Sequence, residues 1–199
     1  MKGFLYLPML VTLAADAPPN FTVTYHIEPK SRLFLNGSTN INTFQCFCTD
    51  VFQPARLSGT LDDKTGVINF HQASLQLTTT LISCKNKLMN KDLHKALKAE
   101  QYPYIRLELL NALPVQQGHP IETNVWYTYK ANTVLTIAGI SKPVQFVLQL
   151  SRQAGNRYRL LASKDILMSD FNVKPRTPFN MVRIDDLIVI NFDLQVLVQ

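Results

Sequence analysis

The side chains with the most distinctive chemistry in this sequence are three cysteines, Cys46, Cys48 and Cys84. Cys46 and Cys48 are two residues apart, so on a β-strand they share a face and cannot readily bond each other. An oxidising compartment would allow one of them to pair with Cys84 and leave one thiol free. The alternative is three reduced, buried thiols with no chemical role.

Metal binding finds little support in the spacing of the candidate ligands. The Cys-Xaa-Cys pair supplies two ligands, and a structural zinc site needs four. The histidines that could complete the set are spread singly along the chain: His26, His71, His94 and His119. We therefore expect no metal and no cofactor.

Two pairs of carboxylates invite comparison with acid–base sites, residues 62–63 and residues 185–186. Each pair lies beside a turn or the start of a strand. Adjacent residues on a strand point to opposite faces, so neither pair makes a two-carboxylate site by itself. Solvated turn residues are the better interpretation.

Catalytic motifs are absent from the sequence. It contains no nucleophile elbow, phosphate loop, zinc-protease signature or dinucleotide glycine fingerprint. Tyr104, Ser169 and Asp170 are the polar residues that would carry a reaction if there were one, but their spacing does not require it. The sequence predicts a protein that is not an enzyme.

The elements that would position these residues are mostly β-strands. Apolar and polar residues alternate over residues 21–27 and 188–198, and shorter runs of the same kind lie between them. Period-two alternation is typical of strands with one buried face. Short connections such as residues 62–66, 117–120, 138–139 and 154–156 carry turn residues and imply antiparallel neighbours. Many short antiparallel strands favour an all-β closed barrel, which leaves no exposed sheet edge.

One segment has helical periodicity instead. Met89, Leu93, Ala96 and Leu97 fall on one face of a helix predicted over residues 90–99, with Asn90 as its N-cap. Lysines lie on the opposite face. A lone amphipathic helix among strands is suited to covering an opening of the barrel. Residues 172–180, with two prolines, are predicted to form a rim loop.

Residues 1–17 have the three-part pattern of a secretory signal peptide. Lys2 precedes an apolar run, and small residues follow at 14–17. The apolar run is too short to span a bilayer. The sequence thus predicts a signal peptide over residues 1–17, one domain over residues 18–199, and a periplasmic or secreted location. A buried first strand is the alternative for this segment.

The formal net charge of +6 comes from lysines and arginines that are scattered along the chain. Nucleic-acid binding would need basic residues interleaved with stacking aromatics on one surface. The aromatics here fall at strand-periodic positions, so we expect no nucleic-acid partner. A transient contact with a membrane surface and a homodimer both stay open.

Five segments together resemble the YceI-like family of exported lipid-binding β-barrels, in the variant found among Bacteroidetes-type members. Residues 25–33 are similar to the family's first strand, and residues 35–44 to its second. Residues 89–105 (MNKDLHKALKAEQYPYI) resemble its helix, which ends in tyrosine–proline. Residues 135–144 (LTIAGISKPV) resemble a family hairpin, and residues 168–173 (MSDFNV) a late aspartate–phenylalanine segment. The resemblance spans residues 25–198.

This resemblance implies a lipocalin-like antiparallel barrel that encloses a hydrophobic or amphiphilic ligand of the polyisoprenoid type. It implies carriage of that lipid in the cell envelope without catalysis. Two alternatives are a lipid-modifying enzyme on the same barrel and a partner-binding module whose barrel is filled. Neither the lipid nor its donor and acceptor can be read from the sequence.

The ligand would contact inward strand positions and the apolar helix face. The predicted apolar lining comprises Leu33, Leu35, Phe44, Phe70, Leu75, Leu77, Leu93, Leu97, Ile105, Leu107, Leu135, Ile137, Phe146, Leu148 and Met168. A register slip of one residue would invert the assignment of a whole strand.

If the chain is exported, we expect Cys84 to lie near Cys46 or Cys48 and to tie the helix region to the barrel wall. A bridge closing a loop of roughly 37 residues would stabilise the fold by about 3–4 kcal/mol in the chain-entropy model. Three free thiols stay the alternative.

Overall fold

The computed structural model describes residues 19–116, 121–175 and 182–199. The predicted signal peptide, the predicted turn at 117–120 and residues 176–180 of the predicted rim loop lie outside the described residues. Within the described part, no helix has the length and apolar character needed to cross a membrane.

The described residues form twelve strands and one α-helix, with short 3-10 turns at Thr79–Leu81 and Met168–Phe171. The strands are β1 Asn20–Ile27, β2 Arg32–Thr39, β3 Thr43–Cys48, β4 Ala55–Leu61, β5 Ile68–Gln72, β6 Ser74–Thr78, β7 Ile82–Ser83, β8 Tyr104–Pro114, β9 Trp126–Ile137, β10 Ile140–Gln153, β11 Arg157–Leu167 and β12 Ile184–Val198. The helix, α1, spans Lys87–Ala96.

These strands close into one antiparallel barrel. β1 and β2 lie end to end along β12, where β2 pairs with residues between 184 and 193 and β1 with residues 196–198. β3 and β4 pair in turn with β2 and β1. β4 continues to β5, and the ring then runs through β8, β9, β10 and β11 back to β12. Closure pairs every long strand on both sides, as the turn-rich sequence predicted.

Different segments of the chain lie at the two ends of the barrel. The helix end carries residues 40–42, α1, the turn at 138–139 and residues 168–175. The opposite end carries the turns at 62–66 and 154–156, together with the start of β1 and the end of β12. This distinction decides where a cavity can form.

Two of the strands are longer than the sequence pattern predicted. The apolar pattern gives separate short runs at 126–129 and 134–137, which are one strand, β9. It likewise gives runs at 158–161 and 166–168, which β11 joins up to Leu167. Polar residues broke the apolar pattern there, but they pair on the outside of the barrel. Asn132 bonds Asn111 and Gln145 across three strands, with both contacts at 2.8 Å.

The structure contains the predicted helix, but the helix begins and ends earlier than the sequence predicted. It begins at Lys87, and the N-cap is Asn86, whose side chain accepts from the backbone N–H groups of Leu88 and Met89. Asn90 instead lies inside the helix. The helix ends at Ala96 and not at residue 99, and Lys98 takes a positive φ of 52° just beyond it. Both asparagines suit a cap, so the pattern alone placed the start one turn late.

Candidate ligand-binding cavity

An apolar cavity of about 300 Å³ occupies the helix end of the barrel. Its wall is built from inward residues of β2, β3, β6, β8, β9 and β12, with the helix closing one side. Met89, Leu93 and Leu97 lie on the wall at helical spacing. The predicted apolar face of the helix is therefore the face turned to the cavity.

The structure brings most of the predicted lining together. Twelve of the fifteen residues lie on the wall: Leu33, Leu35, Phe44, Leu75, Leu77, Leu93, Leu97, Ile105, Leu107, Leu135, Ile137 and Met168. Strand register explains the agreement, since Leu75, Leu107 and Leu135 are directly opposite one another on β6, β8 and β9. Whether a ligand contacts them stays a prediction.

Phe70, Phe146 and Leu148, also assigned to the lining from the sequence, do not lie on the wall. The spacing of these residues in the sequence identified the face of the strand on which each lies. It did not identify the position of each residue along the barrel axis. Phe70 packs edge to face on Phe21, near the start of β1. Phe146 is buried and packs on Phe192, with ring centroids 5.7 Å apart. Leu148 pairs with the buried Tyr129. Side chains fill this part of the barrel.

Several wall residues were not predicted. Ile188, Ile190 and Phe192 of β12 line the cavity, and their period-two spacing in the sequence was a sufficient signal. Phe171 and Val173 also line it. Phe171 ends the 3-10 turn after β11 and Val173 lies in the irregular segment beyond it, where no strand periodicity marks an inward side chain.

Phe44 reaches the wall because its partner on β2 is a glycine. Gly37 and Phe44 face each other across the β2–β3 pair. A Cβ atom at Gly37 would lie 2.3 Å from the Phe44 ring, closer than any packing allows. The Phe44 ring occupies the space that a side chain at Gly37 would fill.

Polar contacts fix the helix to β7. The side chain of Asn90 accepts from the Cys84 backbone N–H at 2.7 Å and donates to Ser83 Oγ at 3.0 Å. The Nε2 atom of His94 lies 2.9 Å from the Ile82 carbonyl oxygen. The helix is thus attached through side chains at two successive turns, and its wall residues hold a fixed position over the cavity.

A disulfide joins the same region to the barrel. The sulfur atoms of Cys46 and Cys84 are 1.96 Å apart, so β3 is covalently linked to the segment just before the helix. Cys48 is the free cysteine. Its thiol lies on the cavity wall and donates to Asp50 at 3.9 Å. Burial, helped by the Asp50 charge, raises the pKa of this thiol above its ordinary value.

The described wall carries few polar groups. Besides the cysteines they are Thr39, Asn86 and Asp92. Thr39 donates to the Asn42 carbonyl and Asn86 caps the helix, so both have local partners. Among the described residues, no three or more histidine, cysteine or acidic side chains come together as metal ligands. The wall can bury hydrocarbon and offers little else.

The three polar residues considered for catalysis lie away from the cavity. Tyr104 is about half exposed on the outside of β8. Ser169 and Asp170 are exposed in the 3-10 turn after β11, where Asp186 accepts from the backbone N–H and the hydroxyl of Ser169. These contacts hold a turn in place, and none of the three residues is on the wall.

Two motifs that are distant in the sequence meet at the helix end. Gly139, in the turn between β9 and β10, has a φ of +80°. A Cβ atom there would lie 2.4 Å from the ring of Tyr102, which follows the helix. The carbonyls of Tyr102 and Pro103 accept from the side chain and backbone of the buried Thr79. The segment after the helix is therefore fitted against the barrel at two points.

A closed antiparallel barrel with an apolar compartment under a single helix is a lipocalin-like architecture. Comparison of folds agrees. A polyisoprenoid binding domain from Saccharophagus degradans, implicated in plant cell wall breakdown, superposes with a TM-score of 0.65 at 12% identity, covering 88% of this chain and 98% of that one. BcnA from Burkholderia cenocepacia superposes with a TM-score of 0.61 at 16% identity, covering 83% and 96%.

The profile of the YceI-like domain matches residues 33–196, and the chain belongs to this family. A search of the curated proteins found no match. The family assignment agrees with the resemblance of the five sequence segments. Tyr102 and Gly139, which pack together at the helix end, each belong to one of those segments.

Proposed function

We propose that this protein binds one long-chain hydrophobic or amphiphilic lipid, of the polyisoprenoid type, in the cavity at the helix end and carries it without catalysis. The hydrocarbon chain lies along the apolar wall, and any polar head remains near the mouth. The observation that carries the proposal is the wall itself, in which nearly every side chain is aliphatic or aromatic.

The energetics favour such a ligand without a charged partner. Each methylene moved from water to an apolar site contributes about 0.8 kcal/mol. Several such groups in a preformed cavity outweigh the entropy lost when the chain is ordered. Membership of the YceI-like family and the fold shared with a polyisoprenoid binding domain support the same ligand class.

A filled barrel acting as a partner-binding module fits the structure less well. Such a barrel would have a solid interior, whereas this one is filled only towards the opposite end. Leu33, Leu107 and Leu135 face open space at the helix end. No specific observation favours this second candidate.

The test is native mass spectrometry of the purified full chain, followed by solvent extraction and analysis of the extract. We expect a bound mass that disappears on extraction and is recovered as a long-chain lipid. Protein that carries no hydrophobic molecule from any preparation, and binds none of a panel of isoprenoid alcohols, would overturn the proposal.

A matched pair of variants locates the site. Leu107→Trp places an indole in the cavity, which has room for it, and is expected to remove most of the bound lipid. Val147→Trp makes a similar addition on the outer face of β10, where Val147 is 54% exposed, and should leave the lipid content unchanged. Circular dichroism of both variants verifies that the barrel is folded.

We also propose that the chain acts outside the cytoplasm, in the periplasm or after secretion. Support comes from the signal-peptide pattern of residues 1–17 and from the Cys46–Cys84 disulfide, because such bonds persist mainly in oxidising compartments. Fractionation of expressing cells with N-terminal sequencing tests this. Protein recovered from the cytoplasm with its first residues intact would contradict it.

A further inference from the structure

The mouth of the cavity lies at Asn86 and Leu88, its exposed wall residues, and is bordered by three described segments that carry wall residues. These are residues 86–92 at the start of the helix, residues 171–175, and residues 182–183. The β2–β3 turn lies beside them, because the Asn40 backbone N–H donates to the Arg183 carbonyl at 3.0 Å and Asn40 accepts from the Arg183 N–H at 2.8 Å. We call these segments and the turn the rim.

Two large aliphatic side chains project from the rim into solvent. Ile41, at the tip of the β2–β3 turn, is 68% exposed. Leu88, in the first turn of the helix, is 57% exposed although it belongs to the cavity wall. Neither is required to fill the core. Each is placed to enter an apolar phase that covers the mouth.

The charged residues of the rim are mostly basic. They are Lys87, Lys91, Lys174 and Arg183, with Asp92 as the acidic member. The four basic side chains form no ion pair among the described residues. Asp185 and Asp186 follow on β12, where each accepts a hydrogen bond from a serine. A serine hydroxyl carries no charge, so these two carboxylates and the exposed Asp170 are acidic neighbours of the rim. The excess of basic residues is confined to the rim itself.

We propose that the rim docks on the surface of an anionic lipid bilayer, with Ile41 and Leu88 inserted among the acyl chains and the four basic residues over the lipid head groups. Exposed apolar groups ringed by lysine and arginine are the combination that binds anionic interfaces. This inference deepens the proposed function, since docking would open the cavity directly onto the membrane that supplies or accepts its lipid.

The first test measures co-sedimentation of the full chain with vesicles. We expect strong binding to vesicles of equal parts phosphatidylglycerol and phosphatidylcholine, and weak binding to phosphatidylcholine alone. The double variant Lys87→Gln/Arg183→Gln should bind the anionic vesicles roughly twentyfold more weakly. Ile41→Ser should reduce binding roughly tenfold. Lys64→Gln, in the turn at the opposite end, is the matched control and should bind as the unmodified protein does.

The second test determines which end meets the bilayer. The chain has one tryptophan, Trp126, which is partly exposed and begins β9 at the opposite end. Vesicles with brominated acyl chains should not quench it. The variant Leu88→Trp/Trp126→Phe moves the fluorophore to the rim and should be quenched. Quenching of Trp126 but not of the tryptophan at 88 would overturn the proposed orientation.

Failure of the docking and failure of lipid carriage give different results. If native mass spectrometry finds bound lipid but anionic vesicles are not bound, the docking proposal is wrong and the proposed function stands. If the unmodified chain self-associates in analytical ultracentrifugation and Ile41→Ser is monomeric, a second copy covers the rim and docking is again wrong. Vesicle binding by protein that carries no lipid would refute carriage alone.

Discussion

Cys48 is a direct reporter of the cavity, because its thiol is the one free cysteine and lies on the wall. Alkylation requires the thiolate, and burial raises the pKa of this thiol from its ordinary value of 9.0. We expect iodoacetamide to modify Cys48 more slowly than a free cysteine at pH 8. The rate should go on rising with pH beyond the range where free cysteine levels off. Mass spectrometry of timed aliquots gives both rates.

Bound lipid should slow this reaction further, since it would lie over the thiol. The matched control is Cys48→Ser, which should take up no label while the disulfide is intact. Thiol counting on denatured, unreduced protein should find one thiol. Three thiols would contradict the Cys46–Cys84 bond, and equal labelling with and without lipid would contradict the proposed site.

Asp193 links stability to pH on the outer face of the barrel. It accepts from Arg159 at 3.0 and 3.1 Å and from Arg32 at 3.2 Å. The Arg159 contact, then that of Arg32, lowers the pKa of this carboxyl. A lowered pKa in the folded state stabilises above the unfolded value, and the contribution is lost as pH falls through the folded one.

Asp193→Asn should therefore have a lower melting temperature than the unmodified protein at pH 7. The difference should shrink as the pH is lowered through the acid range. Thermal melts at a series of pH values test this. A difference that is independent of pH would mean that the ion pairs, which are partly exposed to solvent, contribute nothing measurable.

At the scale of elements, the turn between β9 and β10 and the segment after the helix depend on each other. Gly139→Ala puts a side chain at a φ of +80° and against the Tyr102 ring. We expect a loss of about 2 kcal/mol or more in the free energy of unfolding, since backbone strain and a clash add. Chemical denaturation measures it. In a Tyr102→Ala background, the loss of unfolding free energy caused by Gly139→Ala should fall to the part that comes from backbone strain alone.

The disulfide should stabilise the fold and hold the start of the helix in position. It spans a sequence separation of 38 residues, for which the chain-entropy model gives about 3–4 kcal/mol. Cys46→Ser/Cys84→Ser should lose roughly that much stability in urea and release bound lipid faster. Cys48→Ser keeps the bond and should match the unmodified protein. Equal lipid release from both variants would mean that the bond does not hold the helix over the cavity.

The elements were largely predictable because each has a local signal. Alternation located the strands, and the helical spacing of Leu93 and Leu97 found the face that covers the cavity. The start of the helix was not fixed locally, because Asn86 and Asn90 are both competent caps and the choice depends on a contact with Ser83 made only in the fold. Merged strands such as β9 were missed because their outward amides interrupt the pattern.

At the scale of the whole molecule, the closed barrel followed from the sequence, whereas the division of its interior did not. Whether an inward residue faces open space or a filled core depends on its height along the barrel. Phe146 and Leu107 carry equivalent signals, yet Phe146 packs on Phe192 and Leu107 faces the cavity. That height is set by strand register, which no local pattern contains.

Closure of the barrel by β12 also governs the order of events during synthesis. β12 contacts β1 and β2, more than 140 residues earlier in the chain, and it is the last of the described strands to be made. Until it arrives, β11 and β2 both present unpaired edges, and such edges recruit other chains. Contacts of this range also slow folding. The described strands therefore cannot close into a barrel before β12 is made, and until then their unpaired edges need protection from aggregation.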